Sequence, residues 1–505
     1  MRVENSVKNI YSGIFKQIIT ILLNFLNRTV FIYTLGVTYL GVNGLFTNIL
    51  SILSLAELGI GEAITFNLYK PIANDDKEKI CKLMKFYKKI YRIIGLVIFF
   101  IGAMLIPFIP YMISGGNDIK NIRIIYLLFL LQTSLSYFYI YRRTFIIANQ
   151  KNYIVSKINS TFIVMNNVFQ IIILLLFKDF ILVLIIKVVF TVVENWYISR
   201  ECIKLYPFLK ENSNDDLDKG MLKKIYNQTY AMLLYKISGT VVNASDNIIL
   251  SIMIGITQVG IYSNYIMVIG AIATMLQIIF TSLTASVGNL NTESDIEKRY
   301  FIFKVINFTN FFLYGYCSIV LLIIINPFIE IWIGKEYLFN IIIVLVIILN
   351  FYINGMCYAP YLFRQTMGIF TYGKMRPVLT AILNILFSLI LGYHMGIFGI
   401  LLGTVAAKIL TTIPYDPYIV CKIGFKKSPK EFYMTNIKYF LYVVLVSFIT
   451  ILIIKGINLW INLGFIIKLI LVSSLPLILF IMIFRKTKEF NYIKSVVIKV
   501  FLRRI

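Results

Sequence analysis

The chain has 505 residues, of which 59% are hydrophobic and only 14% charged, and its mean hydropathy is +0.83. A soluble domain is about 45–50% apolar and about 25% charged. The apolar residues gather in blocks of about 20, each long enough for a hydrocarbon core of about 30 Å, which excludes an intrinsically disordered chain, a secreted disulfide scaffold and a cytosolic enzyme. The 49 Lys+Arg against 23 Asp+Glu, +26 net, follow the positive-inside rule of membrane proteins rather than a nucleic-acid surface.

In chain order, fourteen membrane-spanning helices are predicted: 15–36, 43–67, 90–113, 122–145, 154–177, 179–199, 225–252, 260–288, 301–326, 337–362, 376–394, 396–418, 437–455 and 463–484. Residues 1–16 carry no small-residue cleavage site, so the first stretch reads as a mature helix rather than a signal peptide. An even count puts both termini on one side. Counted with the span ends that border them, the termini and even-to-odd connections hold 39 of the 49 basic residues, and the opposite connections hold five; both termini are therefore expected in the cytoplasm. The opposite connections are short and leave no room for an extracytoplasmic catalytic domain.

Lys82, Lys85, Lys89 and Arg92 form one helical stripe beside Leu83, Met84, Tyr87 and Ile90. The tail repeats the pattern, with Phe490, Ile493, Val497 and Phe501 against Lys494, Lys499 and Arg503. Both read as interfacial helices resting on anionic lipid headgroups. Cys81, Cys202, Cys317, Cys357 and Cys421 have neither metal-ligand nor redox-motif spacing. The sole histidine, His394, sits at an outer helix end. The chain has no Walker A sequence, GxSxG or HExxH, and Asp75-Asp76 and Asp215-Asp216 read as solvated loop charges. No enzyme, metal site or cofactor is expected.

The halves resemble one another. Gly36-Val37-Thr38-Tyr39-Leu40-Gly41 returns as Gly255-Ile256-Thr257-Gln258-Val259-Gly260, an offset of 219 that also places Asn24 on Asn243 and Asn27 on Asp246. An offset of 221 places Lys187 on Lys408 and Thr191 on Thr412, and one of 223 places Lys151 on Lys374. Such self-similarity points to a transporter. The expected architecture is all-α: an N-lobe over 1–200, a cytoplasmic linker over 201–224, a C-lobe over 225–420, and two added helices with an amphipathic tail over 421–505. The two lobes are pseudo-symmetric six-helix copies in the same orientation.

Gln17, Thr20, Asn24 and Asn27, with Arg28 adjoining, make a polar stripe on the first helix; Lys236, Gly239, Asn243 and Asp246 make its counterpart on the seventh. Charges at mid-bilayer cost at least about 2.5–3.5 kcal/mol, so both stripes are expected to face a cavity or each other. Hydrogen bonding between helices is the plainer alternative, at about 0.6 kcal/mol a pair. Lys187 and Lys408 are further cavity cations, unless they snorkel or pair within the fold, Lys187 with Glu194. Arg28 lies eight residues from Gly36, about 12 Å along the helix, at the depth of Asp246.

Ser54-Leu55-Ala56-Glu57-Leu58-Gly59-Ile60-Gly61-Glu62-Ala63-Ile64 with Asn67-Leu68-Tyr69-Lys70-Pro71-Ile72-Ala73 resembles the second helix and following loop of bacterial polysaccharide (O-antigen-type) flippases. These belong to the multidrug/oligosaccharidyl-lipid/polysaccharide exporter superfamily. The resemblance continues at Arg143 and Ala148-Asn149-Gln150-Lys151. It is strongest from Gly373-Lys374-Met375-Arg376-Pro377 through Asn384, Gly399-Ile400-Leu401-Leu402-Gly403-Thr404 and Pro414-Tyr415-Asp416-Pro417-Tyr418 to Gly424-Phe425-Lys426-Lys427-Ser428-Pro429. It implies a protein of the bacterial cytoplasmic membrane that moves undecaprenyl-pyrophosphate-linked oligosaccharide by alternating access of two lobes, with a proton, sodium or the membrane potential as coupling agent and glycan-assembly proteins as partners. Arg28, Asn24, Asn27, Lys236, Asn243, Asp246, Lys187 and Lys408 are then the substrate-binding candidates; Glu57, Glu62 and Asp416 belong to motifs that maintain fold and gate. A drug or small-cation exporter of the same superfamily, and a membrane-embedded glycan polymerase or glycosyltransferase, are the rival readings.

Overall fold

The computed structural model describes residues 2–502 except 58–59, 114–118, 211–216, 218–219, 221, 223–224, 226–238, 243, 284–286, 289, 291–294, 370–371, 374 and 461–463. Every regular element among them is a helix, as hydrocarbon requires of a chain that must satisfy its own backbone groups. Packing divides the chain into two compact units, Met1–Ser263 and Asn264–Ile505. Much of the predicted 201–224 linker and of the seventh span lies outside the described residues.

In the first unit, α1 (Arg2–Leu53) bends at Gly36, where φ is +84°. Glycine alone takes that conformation without a Cβ penalty. A 3₁₀ turn at Ser54–Glu57 leads to α2 (Ile60–Ala73), α3 (Lys77–Met104), α4 (Ile122–Ser136), α5 (Ile140–Ala148), α6 (Asn152–Phe177) and α7 (Phe180–Leu205). α1 lies along α6, α4 along α7, and α6 against α7. Phe31, Tyr39 and Phe129 converge on the ring of Phe180 at 5.3, 5.5 and 6.2 Å. The basic stripe of α3 is no separate interfacial helix. It forms the first turns of a 28-residue helix, and Leu83, Met84 and Tyr87 are buried in the unit while Lys85, Lys89 and Arg92 stay exposed.

The division falls inside α8 (Ile256–Ser282). In the second unit, α9 (Ile296–Ile333) is apolar around its whole circumference, the pattern of a buried helix. It packs on α10 (Ile341–Met356), α11 (Tyr358–Thr366), α14 (Lys430–Trp460), α15 (Phe465–Phe484) and α16 (Lys488–Leu502). Phe311 of α9 stacks on Tyr439 of α14 at 4.1 Å. The tail helix α16 also docks here, Tyr492 against Phe301 at 5.5 Å and Phe490 against Phe312 at 6.4 Å; the side chains of Val497, Lys499, Phe501 and Arg503 are outside the described set.

The remaining run, α12 (Arg376–Leu410), contains Gly396 at φ +60°. Across that residue Thr380 bonds Thr411 at 2.8 Å, Asn384 donates to Thr404 at 2.7 Å and Ser388 donates to the carbonyl of Ile400 at 3.0 Å. These rungs close progressively toward the glycine, so α12 is an antiparallel hairpin of two helices, followed by α13 (Thr412–Ile419). Among the described residues nine helices are long and apolar enough to cross a bilayer, or eleven with the bent pairs α3 with its 3₁₀ extension and α4 with α5. The hairpin from Arg376 is counted there once. The chain is an all-α, polytopic integral membrane protein.

The backbone repeats as the sequence does. Left-handed residues occur at Gly36 and Gly255, at Gln150 and Gly373, and at Lys178 and Gly396, pairs separated by 219, 223 and 218. The nine-residue helices α5 and α11 each follow a break in a longer helix. An arginine leaves each of them for an acid farther along its own unit: half-buried Arg143 for Glu194 at 2.7 Å, buried Arg364 for Asp416. Arg364 follows Arg143 by 221 residues, and Asp416 follows Glu194 by 222.

Candidate functional site

Inside the first unit a cavity of about 780 Å³ opens between helices. The second half of α1 supplies Asn43, Thr47, Asn48 and Ser51; α4 supplies Gln132, Thr133 and Ser136; α6 supplies Asn166; α7 supplies Lys187 and Thr191. Glu57 stands at the 3₁₀ turn, where the Tyr91 hydroxyl donates to its carboxylate at 3.0 Å. Gln132 donates to Thr191 at 3.3 Å. The walls follow from helix periodicity: Asn43, Thr47 and Ser51 recur every four residues, as do Gln132 and Ser136, so each helix turns one polar face inward.

Lys187 is half-buried on this wall. Its ammonium has no hydrogen-bond or ion-pair partner among the described residues, and it lies within electrostatic reach of Arg28. The pairing with Glu194 does not form, because Glu194 is held by Arg143, which also donates to Asn159. The repeat mate of Lys187 has a different environment. Lys408 is 9% exposed and donates to Asn350 at 2.7 Å and Asn354 at 2.8 Å, inside the second unit.

The polar stripe of α1 divides. Asn27 donates to Asn167 at 3.0 Å and to Gln170 at 3.4 Å, both on α6, so it joins two helices. Arg28 donates to Ser263 Oγ at 2.9 Å rather than to Asp246. Asn24 is exposed. Asp246 is buried, 4% exposed, and lies near Tyr262. Lys236, Asn243 and the side chain of Glu62 lie outside the described residues. Asp416 is buried between Arg364 and Arg376, the latter at 3.2 Å, and Arg376 also donates to Thr412 at 2.8 Å. His394 is exposed beside Gly396. Among the described residues no group of three His, Cys, Asp or Glu gathers to hold a metal.

Sequence reasoning passed over Asn43, Asn48, Gln132 and Asn166. Polar residues inside spans at spacings of three and four were the available signal, but only the packing shows that they share one cavity.

The fold is that of an all-helical, polytopic membrane protein whose two compact units repeat one pattern of kinks and ion pairs. Neither a known protein-family profile nor a curated protein sequence matches the chain. Among solved structures, it is similar to the lipid II flippase MurJ in an inward closed conformation, with 16% identity and a TM-score of 0.64 over 95% of this chain and 99% of that one. It is also similar to an inward-facing multidrug resistance MATE family transporter of the MOP superfamily, at 14% identity and a TM-score of 0.59 over 78% and 92%. The Vibrio cholerae MATE transporter VcmN matches at 12% identity and a TM-score of 0.56 over 81% and 94%.

Proposed function

We propose that this chain is a flippase that carries a polyprenyl-pyrophosphate-linked oligosaccharide from the cytoplasmic to the outer leaflet of a bacterial cytoplasmic membrane, without chemical change to its cargo. The observation that carries the reading is the polar, lysine-bearing cavity of the first unit, within a fold similar to that of a lipid II flippase along 95% of the chain. An anionic lipid headgroup needs cations where water is scarce, and hydroxyl and amide side chains suit sugars. Arg28 offers the planar fork that grips phosphate oxygens at two points. Lys187 is a point charge at the cavity wall, and Lys236, Asn24, Asn243 and Asp246 complete the set by position. Lys408, already held by Asn350 and Asn354, secures the second unit.

The likeness to MATE transporters favours a second reading, export of a drug or small cation. Such a cargo would want acids to dominate its site. Glu57 and Lys187 balance one another in the cavity, and Arg28 adds positive charge nearby. Among the described residues no cluster of catalytic or metal-ligating groups supports the polymerase or glycosyltransferase reading.

The test is loss of the protein in its host. Lipid-linked oligosaccharide accumulates in the inner leaflet, surface glycan falls, and the glycosyltransfer steps continue in isolated membranes. Synthesis or lengthening of a glycan by the purified protein would overturn the reading, and so would export of a cationic dye with unchanged surface glycan.

A further inference from the structure

We infer that the cavity of the first unit is a subsite for one saccharide unit bearing a single carboxylate, a uronic acid, with Lys187 as its counter-ion. This rests on the flippase reading and names which part of the cargo the cavity takes. The pyrophosphate is assigned instead to Arg28, which is not among the residues lining this cavity.

The first argument is charge. The cavity holds one described cation, Lys187, and one described acid, Glu57. Among the described lining residues a pyrophosphate, with two or more negative charges, would meet a single ammonium and a carboxylate of its own sign. A monoanion pairs with the Lys187 ammonium, and Glu57, oriented by Tyr91, accepts hydrogen bonds from sugar hydroxyls.

Hydrogen-bond inventory supplies the second. Asn166 Oδ1 is buried on the wall and accepts no hydrogen bond from any described residue. A buried acceptor is costly to leave unsatisfied, so its complement is a ligand that donates. Sugars carry several hydroxyl donors, whereas an ionised pyrophosphate carries none. The volume of about 780 Å³ falls within the range of about 300–1,000 Å³ typical of small-molecule sites.

The third argument is the difference between the two repeat mates. Lys408 is satisfied internally by Asn350 and Asn354. The offset of 221 that joins the lysines takes these asparagines back to Phe129 and Thr133, and both line the cavity. The cage is therefore replaced in the first half by a ring and a short hydroxyl side chain that leave the ammonium unbonded.

The experiment uses the full-length protein in nanodiscs and measures binding of D-glucuronate, D-glucose and inorganic pyrophosphate by calorimetry. D-glucuronate binds at least about tenfold more tightly than D-glucose, and pyrophosphate does not displace it. Lys187→Met loses at least tenfold in D-glucuronate affinity with little change for D-glucose. Thr133→Asn, which restores one cage oxygen and keeps the lysine, also weakens D-glucuronate selectively. Thermal unfolding of each variant shows that it is folded. Equal affinity for the two sugars, an unchanged affinity in folded Lys187→Met, or displacement by pyrophosphate overturns the inference. Binding needs no transport, so the two readings fail separately: selective D-glucuronate binding in a protein whose loss spares surface glycan would sink the flippase and keep the site.

Discussion

Thr38 and Thr257 face each other with their hydroxyl oxygens 3.5 Å apart, although 219 residues separate them. That is the offset at which the sequence repeats, so each threonine meets its own repeat mate. The surrounding contact is self-complementary in the same sense. The Cα of Gly41 abuts the backbone of Ile256, and that of Gly260 abuts the backbone of Val37, where 41 pairs with 260 and 37 with 256 by the same offset. Reciprocal contact of this kind is what a two-fold axis produces. A local pseudo-two-fold therefore runs between Thr38 and Thr257 within the first unit. Glycines let the two helices approach to backbone contact, as at other close membrane helix crossings.

Gly41→Ala follows as a sensitive substitution, since a Cβ there meets the Ile256 carbonyl oxygen and carbon, atoms that cannot swing away. The expected cost is about 1–3 kcal/mol, the range for overpacking. Gly44→Ala, one turn on, meets only Val259 Cγ1 at an ordinary 3.6 Å and leaves stability nearly unchanged. Thermal unfolding in detergent compares the two, and equal effects would refute the crossing.

The repeated arginine–acid pairs differ in burial, and so should their mutants. Asp416 is 3% exposed at its side chain and serves two arginines; Asp416→Ala strands both and costs about 3–5 kcal/mol. The Arg143 and Glu194 side chains are 25% and 23% exposed, so water compensates Glu194→Ala in part and its cost is smaller. Yield of folded protein and the unfolding midpoint measure the order.

Arg28→Lys keeps the charge and loses the planar fork. The variant folds and inserts normally but exports glycan poorly, at least about tenfold below the parent. An Arg28→Asp, Asp246→Arg exchange that restored full export would show that Arg28 does not touch cargo.

For topology, reporters fused after about residues 75, 150 and 425 read as cytoplasmic and those near 115 or 335 as external, from the distribution of basic residues. A reporter in 201–224 that read as external would break both the topology and the repeat.

Composition alone establishes an all-helical membrane chain, because hydrocarbon leaves a polypeptide few ways to satisfy its backbone. The repeat was legible as well: Gly36 and Gly255, or Lys187 and Lys408, keep their spacing because a left-handed turn or a charge at depth tolerates few residues. What each residue meets was not legible. Asn27 and Arg28 are neighbours in one polar stripe, yet Asn27 bonds α6 and Arg28 bonds Ser263, 235 residues away. Lys187 and Lys408 occupy equivalent positions, yet one faces a cavity and the other is enclosed by Asn350 and Asn354, 58 and 54 residues earlier. Helical spacing determines which residues share a face. Only the packing of distant helices determines whether that face meets a partner or an open cavity.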